Sequence, residues 1–398
     1  MLAPSSSIPV PSPTRAIVLL AIAGFASQAM VRAADTLLPQ IAADFSVTVG
    51  AASIIVSGYA LMHGSMQLFI GPIGDRFGKY RVIAVACALS SLIVFTCGLA
   101  QSLPTLAVAR IASGATASWI IPLGMAYIGD VVSYDRRQQV LGRYLSGQII
   151  GQLFGQAAGG IIGDLLGWRA MFFVLAATFA VAAVALFREL AVNPMTHPLM
   201  RPDEGPRGFV ADYTLVLSNQ WARVVILAVA CEAAFMWGAF AYVGADLHLR
   251  FGLSYSMVGI VVGTFGLGGL IYALTVKQLV GRFGQSGLAF NGGFVLGLAY
   301  LMLALASAWW IAPIAVTLIG LGFYMLHNTL QTNATQMTPQ ARGTSVALFS
   351  AAIYVSQTLG VGLVAPVIDR VGAPPVFLAA AILLPALGLW FAGRLRSR

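Results

Sequence analysis

The most constraining feature of the chain is a series of long apolar segments joined by short polar connections. Hydrophobic residues make up 59% of its 398 residues, and charged residues only 9%. A soluble domain needs more charge than this to present a polar surface to water. A run of about 20 apolar residues is long enough to cross a bilayer as a helix. The composition therefore indicates a multi-pass membrane protein.

Twelve spans are predicted, in an all-α membrane fold made of two pseudo-symmetric six-helix halves. The predicted spans are 16–43, 50–74, 81–101, 104–131, 138–165, 169–188, 222–247, 255–279, 286–307, 310–336, 343–367 and 373–393. The longest connection, 189–221, contains four prolines among charges and reads as a linker. The predicted domains are a tail 1–15, a bundle 16–188, the linker 189–221, a bundle 222–393 and a tail 394–398.

The positive charge of the chain reports its orientation in the membrane. The net charge is +9, which on its own would be compatible with nucleic-acid binding. However, most Lys and Arg residues fall on one side if the N-terminus is cytoplasmic, as the positive-inside rule requires. We therefore expect both termini, the linker and the tails to be cytoplasmic, in the cell inner membrane. No nucleic-acid partner is expected.

The chain carries no pattern typical of an enzyme, a metal site or an ATP-driven pump. It has no phosphate-binding loop and no spacing of His or Cys that would hold a metal. Its three cysteines, Cys87, Cys97 and Cys231, fall inside predicted spans and suggest no disulfide framework. We therefore expect no catalysis, no cofactor and no metal.

The two halves of the chain are related by an internal repeat. An offset of 206 residues aligns the run at Arg76 with that at Arg282, Gly114 with Gly320, and Phe45 with Phe251, without a gap. Parallel repeats about an axis along the membrane normal suit a transporter that rocks around a central site. A channel or a receptor would not need this symmetry.

A charged motif follows the second span, where the chain reads GPIGDRFGKYR over 71–81. It resembles the loop motif Gly-x-x-x-Asp-Arg-x-Gly-Arg/Lys-Arg/Lys of the major facilitator superfamily. The matching positions are Gly71, Asp75, Arg76, Gly78 and Lys79. Tyr80 departs from the pattern, and Arg81 supplies the next base. Over its whole spanning length the chain is similar to transporters of this superfamily, above all the twelve-span drug/proton antiporters and related bacterial effluxers.

The resemblance implies a mechanical role for this motif. In the superfamily the charge cluster of the loop acts as a conformational latch that holds the two halves in the outward-open state. Asp75 can pair with a base and with helix-end amides, and Arg76, Lys79 and Arg81 can pair with carbonyl ends of helices. Positive-inside anchoring accounts for part of the same charges. In the second copy Gly281 replaces the aspartate, so that latch is expected to be weaker or absent.

The fifth span carries glycines four residues apart, at Gly147, Gly151, Gly155, Gly159 and Gly163. Residues four apart share a helix face, so these glycines form a groove that another helix can approach closely. The glycine-rich eighth span is the expected partner. The antiporter group has Gly-x-x-x-Gly-Pro-x-x-Gly-Gly in this region, and here Gln156 takes the proline position.

A second stripe of the fifth span consists of Gln148, Gln152 and Gln156. Amides facing lipid would be costly, so these side chains are expected to face the interior or a hydrated cavity. They are candidate substrate contacts or, equally, hydrogen-bonding links between helices.

Charged residues inside spans mark functional sites more often than not. Arg32 and Asp35 share a face of the first span, and Arg110 lies in the outer half of the fourth. Arg110 resembles the span-four arginine of the superfamily, and Asp35 resembles the acidic residue that closes span one in the antiporter group. These residues either take part in transport or form a static ion pair that makes buried charge tolerable.

Glu232 is predicted near the centre of the seventh span, with no basic neighbour in sequence. Burial there favours the neutral, protonated carboxyl group, and a proton-coupling group needs to exchange its proton near neutral pH. Glu232 is therefore the main candidate for proton coupling, with Asp35 as the second. The alternative is a permanently protonated glutamate bonded to a carbonyl.

Further polar and aromatic residues could line a substrate cavity. The candidates are Trp119, Phe235, Trp237, His327, Asn328 and Gln331. A buried histidine is more often a satisfied hydrogen-bonding group than a titrating one, and aromatic residues in spans equally serve as core or face lipid.

These features together predict a proton-coupled transporter that works by alternating access. The expected function is efflux of small amphiphilic or drug-like compounds in exchange for protons, by a monomer driven by the proton gradient alone. One alternative is proton-linked transport of a sugar or an organic anion, which Arg32, Arg110 and the glutamines would suit. A second, less favoured alternative is a non-transporting membrane receptor.

Overall fold

The computed structural model describes residues 13–197 and 209–397, and every regular element in these ranges is a helix. Eleven helical stretches there are long and apolar enough to cross a membrane. One of them, Tyr255–Leu305, has 51 residues and provides two spans. The chain therefore crosses the membrane twelve times, as predicted.

The turn within this long stretch lies at Gly284, whose φ of 60° and ψ of −177° are not helical. A straight helix from Gly268 to Gly292 would be about 36 Å long. Yet Gly268 packs against Gly320, and Gly292 packs against Gly322, which lies only two positions further along the same partner helix. The chain must therefore reverse its direction between the two glycines.

The first six spans form the N-terminal bundle, and several of them are broken. Span 1 is Pro13–Arg32 and Leu38–Asp44; span 2 is Val49–Ala52 and Ile54–Gln67, followed by Ile70–Phe77; span 3 is Lys79–Gly98; span 4 is Leu103–Ala117 and Ile120–Val131; span 5 is Tyr134–Leu166; span 6 is Trp168–Val192. A 3₁₀ turn, Pro194–Thr196, ends the bundle.

The last six spans form the C-terminal bundle. Span 7 is Gln220–Phe240 and Val243–Phe251; span 8 is Tyr255–Gly263 and the part of Phe265–Leu305 before Gly284; span 9 is the part after it; span 10 is Ile311–Ala334; span 11 is Arg342–Val371; span 12 is Pro374–Arg396. The 3₁₀ turn Pro339–Ala341 precedes span 11.

The observed helices differ from the predicted segments mainly between the two bundles. Span 6 continues to Val192, and the region read as a linker contains the helix Phe209–Ser218. Its Tyr213 hydroxyl donates to the carbonyl of Leu68, which ties the helix to the end of span 2 at 2.8 Å. The helix was missed because the region 189–221 was read as a linker from its prolines and charges, and because an apolar run of about ten residues is too short to be recognised as a span.

Each bundle has its own hydrophobic core. The core of the N-terminal bundle is built from buried side chains between Ala16 and Leu186, and that of the C-terminal bundle from side chains between Val216 and Ala392. The bundles can therefore move relative to each other while their interiors stay packed.

The turns of the two bundles confirm the internal repeat. Gly78 has a φ of 86° and Gly284 a φ of 60°, a region that favours glycine. Before each glycine an arginine, Arg76 or Arg282, lies over the ring of the next residue. We call the end of the molecule with these turns and both chain ends the terminus side, and the opposite end, with Gly167 and Gly372, the far side.

Candidate functional site

The break in span 1 places a charged pair in the interior. The first helix of the span ends at Arg32 and the second begins at Leu38, so Asp35 lies in the non-helical segment between them. Arg32 Nη1 is 3.4 Å from Asp35 Oδ2, and both residues are buried. The other carboxylate oxygen, Oδ1, has no hydrogen-bond partner among the described residues. The sequence analysis placed the two residues on one helix face; the structure brings them together through the break in the helix instead.

Arg32 also links the two bundles. Its guanidinium carbon lies 3.4 Å from the centre of the Trp237 indole ring in span 7. A guanidinium stacked on an indole is a favourable cation–π contact, and it gains strength when water is excluded. Trp237 was predicted as a cavity residue, and the structure places it at the interface, directly against the charged pair of span 1.

Arg110 holds broken spans of the N-terminal bundle together. Its Nε donates to the Ile55 carbonyl at 3.0 Å, and its Nη1 donates to the Met30 carbonyl at 3.1 Å. The guanidinium also lies 4.2 Å from the ring centre of Tyr59. The side chain is fully buried, with only Nη2 left without a partner in the described residues. These contacts make Arg110 an anchor of spans 1 and 2.

Glu232 has a partner that its sequence neighbours did not reveal. Its Oε2 lies 2.7 Å from Nδ1 of His327 in span 10, and the glutamate is 1% exposed. The second carboxylate oxygen, Oε1, is buried and has no hydrogen-bond partner among the described residues. The alternative of a glutamate bonded to a carbonyl therefore does not describe this site.

A continuous series of rings joins this pair to the bundle interface. The His327 ring stacks on Phe323 with a centroid distance of 4.6 Å and an angle of 18°. Phe323 in turn meets Trp237 edge-on at 5.1 Å. Trp237 carries Arg32 on its face. A rearrangement at Glu232 can therefore reach the contact between the bundles through packed side chains.

The glutamine stripe of span 5 is buried at two positions and half-buried at Gln152, and its amide nitrogens are unpaired. Gln148 is 7% exposed and Gln156 is 0% exposed. The amide nitrogens of Gln148, Gln152 and Gln156 have no hydrogen-bond partner among the described residues. Amides that linked helices would be hydrogen-bonded to each other. The unpaired amide nitrogens therefore favour contact with a polar ligand or water over links between helices.

The position of this stripe on span 5 follows from its neighbours. Leu153 and Ala157, one position after Gln152 and Gln156, pack against glycines of span 8. The glycines one position before them pack against span 1. Because successive residues are about 100° apart on a helix, the glutamines lie between the two packed faces and point between spans 1 and 8.

The expected partner of the glycine stripe was wrong. The stripe of Gly151 and Gly155 packs against the backbone of Phe25 and Ala29 in span 1, within the same bundle. Span 8 contacts span 5 through another face, where Gly259 meets Gly160. The four-residue spacing identifies a close helix contact but not its partner, and glycine content misdirected the choice, because span 1 contains only one glycine, Gly24.

The remaining predicted cavity residues do not converge on one point. Trp119 lies at the break of span 4, and its buried indole N–H has no partner among the described residues. Phe235 is half-buried and packs on the C-terminal core. Asn328 pairs with the Tyr272 hydroxyl, and Gln331 is exposed towards the terminus side.

The loop motif makes an ion pair within the N-terminal bundle. Lys79 Nζ lies 2.8 Å from Asp130 Oδ2 at the end of span 4. The surroundings of Gly71 and of the Asp75 side chain lie outside what the structure describes, and Arg76 is exposed. A latch between the halves in the outward-open state stays a prediction, since the ion pair of Lys79 lies within one bundle.

Several contacts between spans 2 and 11, at the interface of the bundles, were missed by sequence reasoning. Thr358 in span 11 donates to the Ser57 carbonyl at 2.9 Å, and the ring of Tyr354 lies 4.5 Å from that of His63. Among the described residues no group of three or more His, Cys, Asp or Glu could hold a metal ion.

Comparison with known proteins establishes the family. The family model described as Major Facilitator Superfamily matches residues 20–361. The chain belongs to the Major Facilitator Superfamily. This superfamily consists of membrane transporters rather than enzymes, which confirms the predicted fold class and the absence of catalysis.

Relatives within the superfamily are distant. The chain is 26% identical to the uncharacterized MFS-type transporter YceJ of Bacillus subtilis (strain 168) over 82% of each chain. It is 27% identical to the uncharacterized transporter YgaY of Escherichia coli O157:H7 over 95% of each chain. It is 23% identical to the efflux pump radE of Floropilus chiversii, over 62% of this chain and 50% of that one.

Solved structures share the fold. A bacterial homologue of the human lysosomal transporter Spinster, in an inward-facing and occupied conformation, superposes with a TM-score of 0.76 at 18% identity. The alignment covers 98% of this chain and 99% of that chain. A mutant form of the nucleoside transporter NupG gives a TM-score of 0.76 at 13% identity, over 95% of this chain and 99% of that one.

Proposed function

We propose that this protein is a proton-coupled exporter of small amphiphilic or drug-like compounds that works by alternating access. It would act as a monomer in the cell inner membrane, with both termini in the cytoplasm and with the proton gradient as its sole energy source. The observation that carries the proposal is the buried pair of Glu232 Oε2 and His327 Nδ1, 2.7 Å apart.

Such a pair exchanges a proton for a physical reason. With one shared proton the two groups are neutral overall, whether the proton resides on the carboxylate or on the imidazole. Loss of that proton leaves a net negative charge, which is costly in a low-dielectric interior. The empty pair therefore favours a conformation that admits water, and the loaded pair favours one that excludes it. This difference lets a proton gradient bias a conformational equilibrium.

The path from this pair to the interface supports coupling. His327, Phe323 and Trp237 are in ring contact, and Arg32 stacks on Trp237. Movement of the imidazole upon proton release would shift Phe323 and hence the indole that holds Arg32. A change at the proton site would in this way loosen a contact between the bundles.

Asp35 is the second proposed proton-coupling group. Its partner Arg32 is shared between Asp35 and the face of Trp237. A substrate that displaced Arg32 would leave Asp35 as an unpaired buried carboxylate, which favours uptake of a proton. Substrate binding would then affect proton uptake at both ends of the ring series, at Asp35 and at Glu232.

The proposed direction of transport is export. The similarity to the efflux pump radE favours export. The amphiphilic substrate class is supported by the aromatic surroundings of Arg32 and His327.

A second candidate function is favoured by the glutamine stripe. Three buried amides with unpaired nitrogens, at Gln148, Gln152 and Gln156, suit a ligand rich in hydrogen-bond acceptors. A sugar or an organic anion would fit them better than a lipophilic cation, and it would be moved by the same proton site.

The test uses purified protein in liposomes with an imposed pH gradient and a pH-sensitive dye inside. Lipophilic cations, organic anions and sugars are added in turn to wild type, Glu232→Gln and Glu189→Gln. Glu189 is the matched control, because it is also a buried glutamate but pairs with Arg15 and Asn193 at the terminus side of span 6.

The proposal predicts that cations release protons in wild type and Glu189→Gln, and not in Glu232→Gln. Proton movement with sugars or anions alone would reject the drug-export substrate class and favour the second candidate. If Glu232→Gln behaves like wild type, the proton site is elsewhere. No proton movement with any compound would contradict coupling itself.

A further inference from the structure

A carboxylate of the C-terminal bundle holds the start of span 2. Asp369 Oδ2 accepts a hydrogen bond from the Thr48 hydroxyl at 2.7 Å, and Oδ1 accepts one from the Gly50 amide at 2.8 Å. Thr48 is the N-cap of the helix Val49–Ala52 and Gly50 is its second residue. Both oxygens of one carboxylate from span 11 are thus engaged by the N-terminal bundle.

A carboxylate of the N-terminal bundle holds the start of span 8 in the same way. Asp164 Oδ2 accepts hydrogen bonds from the Ser256 hydroxyl at 2.6 Å and from its amide at 3.3 Å. Ser256 is the second residue of the helix Tyr255–Gly263. An aspartate near the end of span 5 therefore reaches across to the other bundle.

The two contacts occupy equivalent places in the two halves, with the aspartates 205 residues apart and their amide partners 206. Asp164 lies three residues before Gly167, with a φ of 83°, and Asp369 lies three residues before Gly372, with a φ of 87°. Their amide partners, Gly50 and Ser256, are each the second residue of a helix that starts on the far side. Each bundle thus gives one aspartate and receives one.

We propose that Asp164 and Asp369 are the two gate residues of the far side, a symmetric pair of carboxylate clasps that must both release before that side can open. Each clasp joins the ends of two spans from different bundles: spans 2 and 11 for one clasp, spans 5 and 8 for the other. A rocking motion that opens the far side separates these ends.

The sequence around each clasp fits this role. A Cβ at Gly50 would collide with the Asp369 carboxylate and would lie 2.7 Å from the Ala365 carbonyl. Only glycine allows the carboxylate to approach the amide so closely. Both aspartates are exposed on the surface, so water can replace the lost hydrogen bonds when the clasp opens. Exposed charge-assisted contacts of this kind are reversible and modest in strength.

The test measures the distance across the far side with spin labels at Leu99→Cys and Leu305→Cys, two exposed positions at the far ends of spans 3 and 9. The three native cysteines are first replaced by alanine. Asp164→Asn and Asp369→Asn are compared with the parent. The matched control is Asp44→Asn, a far-side carboxylate whose partners Trp168 and Arg169 belong to its own bundle.

Each single clasp variant is expected to raise the ratio of molecules with a long label-to-label distance to those with a short one about fivefold, and the double variant about twentyfold. Effects of this size are typical of weak hydrogen-bonded contacts. Asp44→Asn is expected to leave the ratio unchanged. Gly50→Ala should open the clasp of Asp369 while leaving the carboxylate in place. It therefore tests the proposal even if Asp369→Asn fails to fold. Unchanged ratios in the clasp variants, or an equal shift in Asp44→Asn, would overturn the proposal.

Discussion

Arg110 illustrates how this chain tolerates a charge in its interior. The side chain is fully buried, and its guanidinium is bound to carbonyls of spans 1 and 2 next to their breaks, and to the ring of Tyr59. The break in span 1 leaves the Met30 carbonyl in the last turn of a helix, where carbonyl groups need partners from outside the helix, and the arginine supplies one. The residue therefore stabilises the irregular backbone that positions Asp35.

At this scale we predict that Arg110→Met destabilises the protein by about 3 kcal/mol, since two hydrogen bonds from a charged donor are lost. Thermal unfolding of the purified protein in detergent would show a lower midpoint. The exposed arginine of span 6, Arg188, provides the control, and Arg188→Met should leave the midpoint unchanged. Equal midpoints for Arg110→Met and wild type would contradict the anchoring role.

The residue scale also shows where sequence reasoning ends. Glu232 was recognisable as a proton-coupling candidate, because a carboxyl group in an apolar span needs a reason to be there. Its partner His327 lies 95 positions away in another span, and no local pattern encodes that pairing. The same limit applies to Trp237 under Arg32, since hydropathy places residues in spans but does not orient spans towards each other.

At the scale of helices, the glycine stripe of span 5 determines how closely it meets span 1. A Cβ at Gly155 would collide with the Ala29 carbonyl oxygen and would lie 2.9 Å from its Cα, both of which are backbone atoms that cannot move aside. Gly142, in the same helix, has no atom within 4 Å of the corresponding Cβ position. The two positions thus form a matched pair.

We predict that Gly155→Ala lowers the thermal unfolding midpoint and the amount of folded protein, because spans 1 and 5 are forced apart. Gly142→Ala should be neutral or stabilising by up to about 1 kcal/mol, the difference in helix propensity between the two residues. Size-exclusion profiles after heating compare the variants. Equal heat resistance of Gly155→Ala and wild type would contradict this prediction and would show that span 1 adapts to the added methyl group.

The elements themselves were largely predictable. Twelve spans and the repeat follow from apolar run lengths and from the residues that match between the two halves. The breaks in spans 1, 4 and 7 were not predicted, because apolar residues continue on both sides of each break and hydropathy does not register a change of backbone direction. The helix Phe209–Ser218 was missed because its region was read from its prolines and charges.

For the whole molecule, the structure combines two self-contained bundles with an interface of specific polar contacts. Each bundle keeps its own core, and the interface is joined by Arg32 on Trp237, Thr358 on Ser57 and the two far-side clasps. Such an interface can switch between arrangements without repacking either core, which is what alternating access requires. The pair of Glu232 and His327, our proposed proton site, lies within the C-terminal bundle and reaches this interface through ring contacts.

The most direct measurement of the central claim is the number of protons released when substrate binds to purified protein in weakly buffered detergent solution. The substrate is a compound that moves protons in the liposome assay. The account predicts release of about one proton per bound substrate in wild type and Glu189→Gln, and none in Glu232→Gln. Full proton release from Glu232→Gln with unchanged substrate binding would contradict it.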